Sequence, residues 1–329
     1  MRAMPRASLA AVRLTIVVLA LAPLGQVLAN ASVSPEELIR KMSSALTQLN
    51  YKGSFVHVRQ GHVEAMSIVH SSDHRGELEY MLSLNGEARE VFRNRSLVTC
   101  IWPDSQSVIV SDSKSRKILP TIDASLASSK TYELSLAKQD RVAGRNAHVV
   151  NITPRDNMRY GYRFWIDQET KMLLRSMLLD KEDNAIEQVM FTDISYPESI
   201  NPELFETPGA KIDAFNIQKP KAVALQSSKN RVDFESLPPG YEEVSETYQP
   251  MPINDGPISH VMLSDGMASV SVYVEYIAKA NQDDSAVGVS SMGALNAYTH
   301  STPDALITVV GEVPAETVTR IAMAVRLAK

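Results

Sequence analysis

Four of the seven histidines crowd into one stretch: His57, His62, His70 and His74. On paired strands, imidazoles so placed could converge on a metal ion. The plainer reading puts them on a solvated face or in a loop, and no metal site is expected. Two acidic turns, Asp167 to Glu169 and Asp180 to Asp183, lack the Asp-x-Asp-x-Gly spacing of a calcium loop and read as hydrated turns. Arg163 and Arg175 could grip a phosphate together; ion pairs to Glu187 or Asp193 are the simpler use. The run Gly288 to Gly293 lacks the Lys and Ser/Thr of a phosphate loop. There is no G-x-S-x-G elbow and no H-E-x-x-H. The single Cys, Cys100, sits in LVTCIW, reads as a small buried apolar residue and excludes an intrachain disulfide. No catalytic constellation and no cofactor site emerge, so the chain reads as a binding protein rather than an enzyme.

The elements that would position such groups centre on Tyr160 to Tyr196. Three strand-like runs are separated by the two acidic turns, which forces an antiparallel meander. Tyr162, Phe164 and Ile166 alternate with Arg163, Trp165 and Asp167. The middle run, Met172 to Leu179, is apolar on both faces apart from Arg175 and Ser176, so it needs cover on both sides. The expectation is a curved sheet with a helix or a lipid-sized cavity against its concave side.

At the N-terminus, residues 1–31 read as a secretory signal. Arg2, Arg6 and Arg13 precede the apolar run Leu14 to Leu24, and cleavage is expected after Ala29 or Ala31. No Cys stands there to be lipidated, and no second apolar stretch has membrane-spanning length. Losing three Arg and no acid moves the net charge from -5 to -8. An acidic chain argues against nucleic acid as a partner. The mature protein is expected to be exported and soluble, with a packed core in place of disulfides.

Ser34-Pro35-Glu36-Glu37 opens a helix with Leu38, Met42, Ala45, Leu46 and Leu49 on one face. Strands follow from Tyr51, with turns at Gln60-Gly61-His62 and Asn85-Gly86. Residues 113–139 break the strand rhythm, and Ala124 to Leu136 reads as short helices or an ordered loop. A first domain of about ten antiparallel strands spans 32–215. Residues 216–231 lack periodicity and read as a linker. A smaller α+β domain spans 232–329, with a Ser264-Asp265-Gly266 hairpin and a last helix from Pro314 whose inner face is Val318, Ile321, Ala322 and Val325.

Along nearly its whole mature length the chain resembles the MucB/RseB family of periplasmic regulators of the envelope-stress sigma factor. The resemblance rests on Tyr51-Lys-Gly-Ser-Phe55, Arg89-Glu-Val91, Val98-Thr-Cys100 with Pro103-Asp104, Val142-Ala-Gly-Arg145 and Arg159-Tyr-Gly-Tyr-Arg-Phe-Trp165 with Leu173-Leu-Arg175, Ile186-Glu-Gln188 and Phe191-Thr192. In the second half it rests on Leu237-Pro-Pro-Gly240, His260, Ser264-Asp-Gly266, Ala268-Ser-Val-Ser-Val272, Met292-Gly-Ala-Leu-Asn296 and Val309-Val-Gly-Glu-Val-Pro314. Each motif is weak; their shared order over two domains is specific.

The resemblance implies an α+β fold: an N-terminal half-open antiparallel β-barrel with helices across its mouth, like the carriers LolA and LolB, beside a smaller C-terminal domain. It implies that the protein binds the periplasmic domain of a membrane-spanning anti-sigma factor of the RseA/MucA type, shields it from proteolysis and releases it on a lipid signal such as lipopolysaccharide. Homo-oligomers are compatible with it. The cavity is expected at Phe55, Leu82, Trp102, Phe164, Leu174 and Met190, although each of them taken singly reads more readily as ordinary core. Partner contacts are expected at His260, Ser264, Asp265, Tyr273, Asn296 and Tyr298. The alternative reading is a lipoprotein or lipid carrier.

Overall fold

The structure, a computed structural model, describes residues 33–95, 97–112, 130–207, 215–218, 232–250, 257–276 and 287–327. The expected signal segment lies outside these residues. So do 113–129 of the expected helical insert and 219–231 of the expected linker. Among the described residues no helix is long and apolar enough to cross a membrane.

Helix α1 (Pro35–Gln48) starts as its sequence dictates. The Ser34 hydroxyl accepts a hydrogen bond from the Glu37 amide at 3.1 Å, and Pro35 stands in the first turn, where no amide partner is needed. Its apolar stripe, Leu38, Ile39 and Met42, is fully buried. Burying each such side chain stabilises by about 1.5–3 kcal/mol.

The stripe packs on a twelve-stranded sheet. Its strands are β1 (Tyr51–Arg59), β2 (His62–Asp73), β3 (Gly76–Ser83), β4 (Glu90–Asn94), β5 (Leu97–Trp102), β6 (Ser107–Asp112), β7 (Tyr132–Val142), β8 (Arg145–Pro154), β9 (Gly161–Asp167), β10 (Leu173–Leu179), β11 (Ala185–Ser195) and β12 (Asn216–Gln218). The order is β12-β6-β5-β4-β3-β2-β1-β11-β10-β9-β8-β7. Consecutive strands pair antiparallel within β1–β6 and within β7–β11; β1 closes on β11, and β12 joins β6 in parallel. Strand β7 stands four places from β11, which in a flat sheet is about 19 Å. It nevertheless touches both β11 and α1, and α1 also touches β2 and β10. The sheet is therefore curled around the helix, as a half-open barrel.

Two local expectations are corrected. Tyr132–Leu136, read as part of short helices or an ordered loop, lies in β7; its backbone pairs with β8, with Tyr132 buried and Glu133 exposed. Asn216–Gln218, read as linker, is β12, held on the free edge of β6.

The second sheet has six strands: β14 (Glu242–Pro250), β15 (Pro257–Ser264), β16 (Ser269–Tyr276), β17 (Gly288–Met292), β18 (Leu295–Ser301) and β19 (Ala305–Gly311). Their order is β14-β15-β16-β19-β18-β17. Helix α2 (Ala315–Ala324) covers one face through Val318, Ile321 and Ala322, packed on Val261, Val272 and Val309. A separate two-stranded ribbon pairs β13 (Val232–Phe234) with β20 (Val325–Leu327).

Candidate functional site

Cross-strand pairing decides which of the expected cavity residues share a surface. Phe55 pairs with Met66 and with Phe191, whose ring centroid lies 5.7 Å from its own. All three are buried in the core that includes the α1 stripe. Phe164 pairs with Ser176 and is fully buried in that core. Leu174 occupies a bulge between Leu173 and Arg175 and is equally buried. Trp102 alternates with Cys100 and Val98 on the helix-covered face, half-buried at the end of β5.

Leu82 and Met190 turn the other way. Leu82 pairs with Ser67, the neighbour of Met66, and so stands on the opposite face. Met190 pairs with Val56 and Arg175 on that same outer face. The reason is the period of two: one residue's difference in register reverses a side chain. Six apolar residues thus divide between two surfaces. Cover for the outer face comes in part from Arg175, whose guanidinium lies 4.2 Å from the Trp165 ring centroid. Arg175 hydrogen-bonds Gln188 at 2.7 Å, and Arg163 pairs with Asp183 at 2.9 Å. The expected pairing of these arginines with Glu187 or Asp193 is therefore corrected.

The helix-covered face also holds polar groups. His70 stacks on Tyr51 at 4.6 Å and donates from Nδ1 to the Leu49 carbonyl at 2.8 Å. Next to it in the same cross-strand row, Glu79 faces Arg93, both nearly buried. Six positions along β1 from Tyr51, His57 Nε2 lies 2.7 Å from Glu187 and its Nδ1 3.7 Å from Glu64, which pairs with Arg89. Of the clustered histidines, His57 and His70 are thus engaged with carboxylates, a carbonyl and a ring, while His62 and His74 are exposed. Among the described residues no group of three or more His, Cys, Asp or Glu could hold a metal ion.

The expected partner residues divide as well. Asp265 is buried: its carboxylate meets Arg159 at 2.9 Å with both side chains shielded from water, and it accepts from the Tyr132 hydroxyl at 2.9 Å. Burial, then the Asp265 charge, pushes the Tyr132 phenol well above its ordinary range. Ser264 serves its own turn, accepting from the Gly266 amide and donating to the Ala268 carbonyl. Asn296 is buried and donates to the Tyr160 hydroxyl and to the Val313 carbonyl. Tyr298 packs against the core beneath α2. His260 and Tyr273 lie on the opposite face, stacked at 4.5 Å, with Ser271 3.0 Å from His260 Nε2. Burial lowers the pKa of His260.

Asp265 and Asn296 therefore belong to a seam between the two sheets. The Arg159 guanidinium lies between the rings of Tyr132 and Tyr241, 5.5 and 5.0 Å from their centroids, and donates to Asp156, Asp265 and the Pro239 carbonyl. The Met158 carbonyl accepts from both Thr317 of α2 and Tyr241. Gly240 has φ +83, and a Cβ there would stand 2.7 Å from Thr131. Glycine is thus required on two counts where the Leu237-Pro-Pro-Gly240 turn meets β7. Sequence reasoning named Arg159 only as part of a motif and passed over Tyr132, Tyr241, Met158 and Thr317. A cation in an aromatic run was the one visible signal; its partner Asp265 is 106 residues away.

A shallow polar cavity of about 450 Å³ opens beside the seam, lined by Asn151, Asp156, Tyr162, Arg163, Lys181 and Asp183 among others. Its charges are of both signs and already largely paired with each other.

Two family models match the chain: the MucB/RseB N-terminal domain at residues 34–209 and the MucB/RseB C-terminal domain at 226–326. The Sigma factor AlgU regulatory protein MucB of Pseudomonas aeruginosa is 29% identical over 320 residues, covering 95% of this chain and 98% of that one. The Sigma-E factor regulatory protein RseB of Salmonella typhimurium is 28% identical over 314 residues, covering 91% and 93%. Among solved structures, the Pseudomonas aeruginosa MucA/MucB complex superposes with a TM-score of 0.70 at 28% identity, over 90% of this chain and 99% of that one. MucB in complex with MucA(peri) gives 0.69 at 27% identity, over 90% and 100%.

Proposed function

As the chain belongs to the MucB/RseB family, we propose that it is a periplasmic regulator that binds the periplasmic domain of a membrane-spanning anti-sigma factor of the RseA/MucA type. Bound, it shields that segment from regulated proteolysis; an acylated ligand such as lipopolysaccharide releases it. The observation that carries this reading is similarity to MucB over both halves of the chain, including MucB bound to MucA(peri). It is a binding role, with no chemistry asked of the side chains.

The mechanism follows from what the two sheets hold. An acyl chain entering the curled sheet would have to part α1 from Phe55, Phe164 and Leu174. Each methylene it buries contributes roughly 0.8 kcal/mol. A few methylenes thus match the ~1–3 kcal/mol of a typical allosteric coupling. The seam at Arg159 and Asp265 is the route by which strain in the first sheet reaches the second.

A titration of the mature protein with the periplasmic segment of its anti-sigma factor, with and without lipopolysaccharide, tests this. Tight binding that weakens with lipid is expected. Binding indifferent to lipid removes the release mechanism. Absence of binding brings forward the lipoprotein carrier, for which the curled sheet is also suited.

A further inference from the structure

Sheet edges expose unpaired backbone groups, and proteins guard them with charges, bulges or shortness. Three of the edges in the two large sheets are guarded in these ways. Strand β7 carries Glu133, Lys138, Asp140 and Arg141 and a register shift between Ala137 and Asp140. Strand β12 is three residues long. Strand β14 carries Glu242, Glu243 and Glu246 and a shift between Glu243 and Ser245. The fourth edge, β17, has none of these. Its sequence GVSSM has no charge and no proline, and its pairing with β18 runs without a shift. Val289 and Met292 are each 55% exposed, and the adjoining Val287 is 45% exposed. Among the described residues no strand pairs with its outer side.

The backbone there is aimed outward in a regular pattern. Gly293 and Ala294 form a two-residue hairpin turn with Gly293 at φ +66, so the closing pair Met292–Leu295 is hydrogen-bonded. By alternation Gly288 and Ser290 also bond inward, and Val289 and Ser291 present their N–H and C=O to the outside. Val289 pairs with Tyr298, on the face that α2 covers.

The geometry points to β17 as the docking edge for an extended segment of another chain, which adds to the second sheet as a seventh strand. That segment is uncharged over about five residues and apolar at alternate positions, the apolar side chains lying beside Val289 on the α2 side. A second copy of this chain is the poorer occupant. Two copies of β17 would share only five residues of strand, about 17 Å long, and a contact of that extent by itself does not supply the roughly 1,200–2,000 Å² that a specific complex buries. A flexible peptide can continue past the edge, and the β17–β18 turn leads it to the first sheet: a Cβ on Gly293 would lie 3.4 Å from Arg59. This inference rests on the reading that the protein binds the periplasmic segment of an anti-sigma factor, and assigns that segment its place.

The test uses the full mature chain and that periplasmic segment, made recombinantly. Amide hydrogen exchange at Val289 and Ser291 slows at least tenfold in the complex if the edge is the dock. Val289→Pro, which removes an outward donor and leaves the ladder to β18 intact, weakens affinity at least tenfold; Val244→Pro on β14 leaves it unchanged. Should Val289→Pro fail to fold, N-methylation along a synthetic peptide of the segment replaces it, with binding lost at every second residue. Unchanged exchange in a tight complex, or N-methyl effects without alternation, overturns the edge assignment and leaves the proposed function standing. Protection that grows with protein concentration alone overturns it in favour of self-pairing. Failure of the unmodified chain to bind the segment at all overturns the functional reading, and the edge assignment with it.

Discussion

Arg159 and Asp265 meet at 2.9 Å with neither side chain reaching solvent, and they belong to different sheets. Two charges withdrawn from water recover the cost only in good geometry. Here Arg159 lies between two rings and Asp265 accepts a phenol and two amides of its own turn. The pair therefore fixes how the sheets are set against each other more than it adds to stability.

Removing one partner leaves the other charge buried and alone. Asp265→Ala is expected to destabilise by about 3–5 kcal/mol in urea unfolding. Arg159→Met with Asp265→Leu should cost much less than the two single changes together. A double variant as unstable as their sum would contradict the buried-pair account.

Gly53 is fixed by a close approach. A Cβ there would lie 2.2 Å from the Asp193 carbonyl oxygen, where β1 meets β11 next to a register shift. Gly53→Ala forces that pairing apart and should cost about 1–3 kcal/mol or more, read as a lower melting temperature. Gly61, with nothing within 4 Å of its Cβ position, is the spatial contrast. Its φ of +78 leaves only backbone strain, so Gly61→Asn should be nearly neutral.

The two faces of the first sheet separate the roles of its apolar residues. If acyl chains enter beneath α1, Met66→Asn and Phe164→Ser should reduce the lipid response of partner binding. Leu82→Asn and Met190→Gln, on the outer face, should leave it intact. Equal losses from both faces would count against entry under the helix. Phe164→Ala is in any case expected to cost about 3–5 kcal/mol of stability, as for any fully buried aromatic.

His260 gives the second sheet a pH dependence. Burial holds its pKa below the ordinary 6.5, so the folded state favours the neutral ring. The unfolded chain then binds more protons between the lowered value and 6.5. This contribution is complete above pH 6.5 and is lost as pH falls through the folded value. His148 is shifted the same way, by burial and then by Lys171. Melting temperatures from pH 7.5 to 5 should fall less steeply for His260→Gln than for the unaltered chain; an identical slope would exclude His260 as a source.

The sequence was informative where the determinants are local. Ser34 and Pro35 set the start of α1, the acidic turns set the β9–β11 meander, and Ser264-Asp265-Gly266 set a hairpin. Alternation also revealed that Met172 to Leu179 has two buried faces. It could not tell which face lies inward, because that depends on pairing with β9 and β11 and on two bulges in β10. Alternation alone therefore places Leu82 and Met190 with Phe55. The strand at Tyr132 is not marked by alternation, because Leu136 is exposed and the rest of this edge strand carries Lys138, Asp140 and Arg141. Asp265 and Asn296 looked available for a partner because a polar residue near a turn is usually exposed. Only the seam, assembled from residues far apart in the chain, explains their burial.

The short ribbon of β13 and β20 has a bearing on the order of folding. Val232 opens the second half of the molecule and pairs with Leu327, near its other end, and Val232 and Val325 both lie in that half's core. The ribbon's contact is among the longest-range in that region, and loops of such length close late. In a chain that emerges N-terminus first, α2 and all six strands of the second sheet can form before β20 arrives, while the core beneath them stays open at one corner. Losing the last few residues would therefore leave a nearly complete domain that cannot seal, and such a product should be recognised by proteases more readily than its small deficit in contacts suggests.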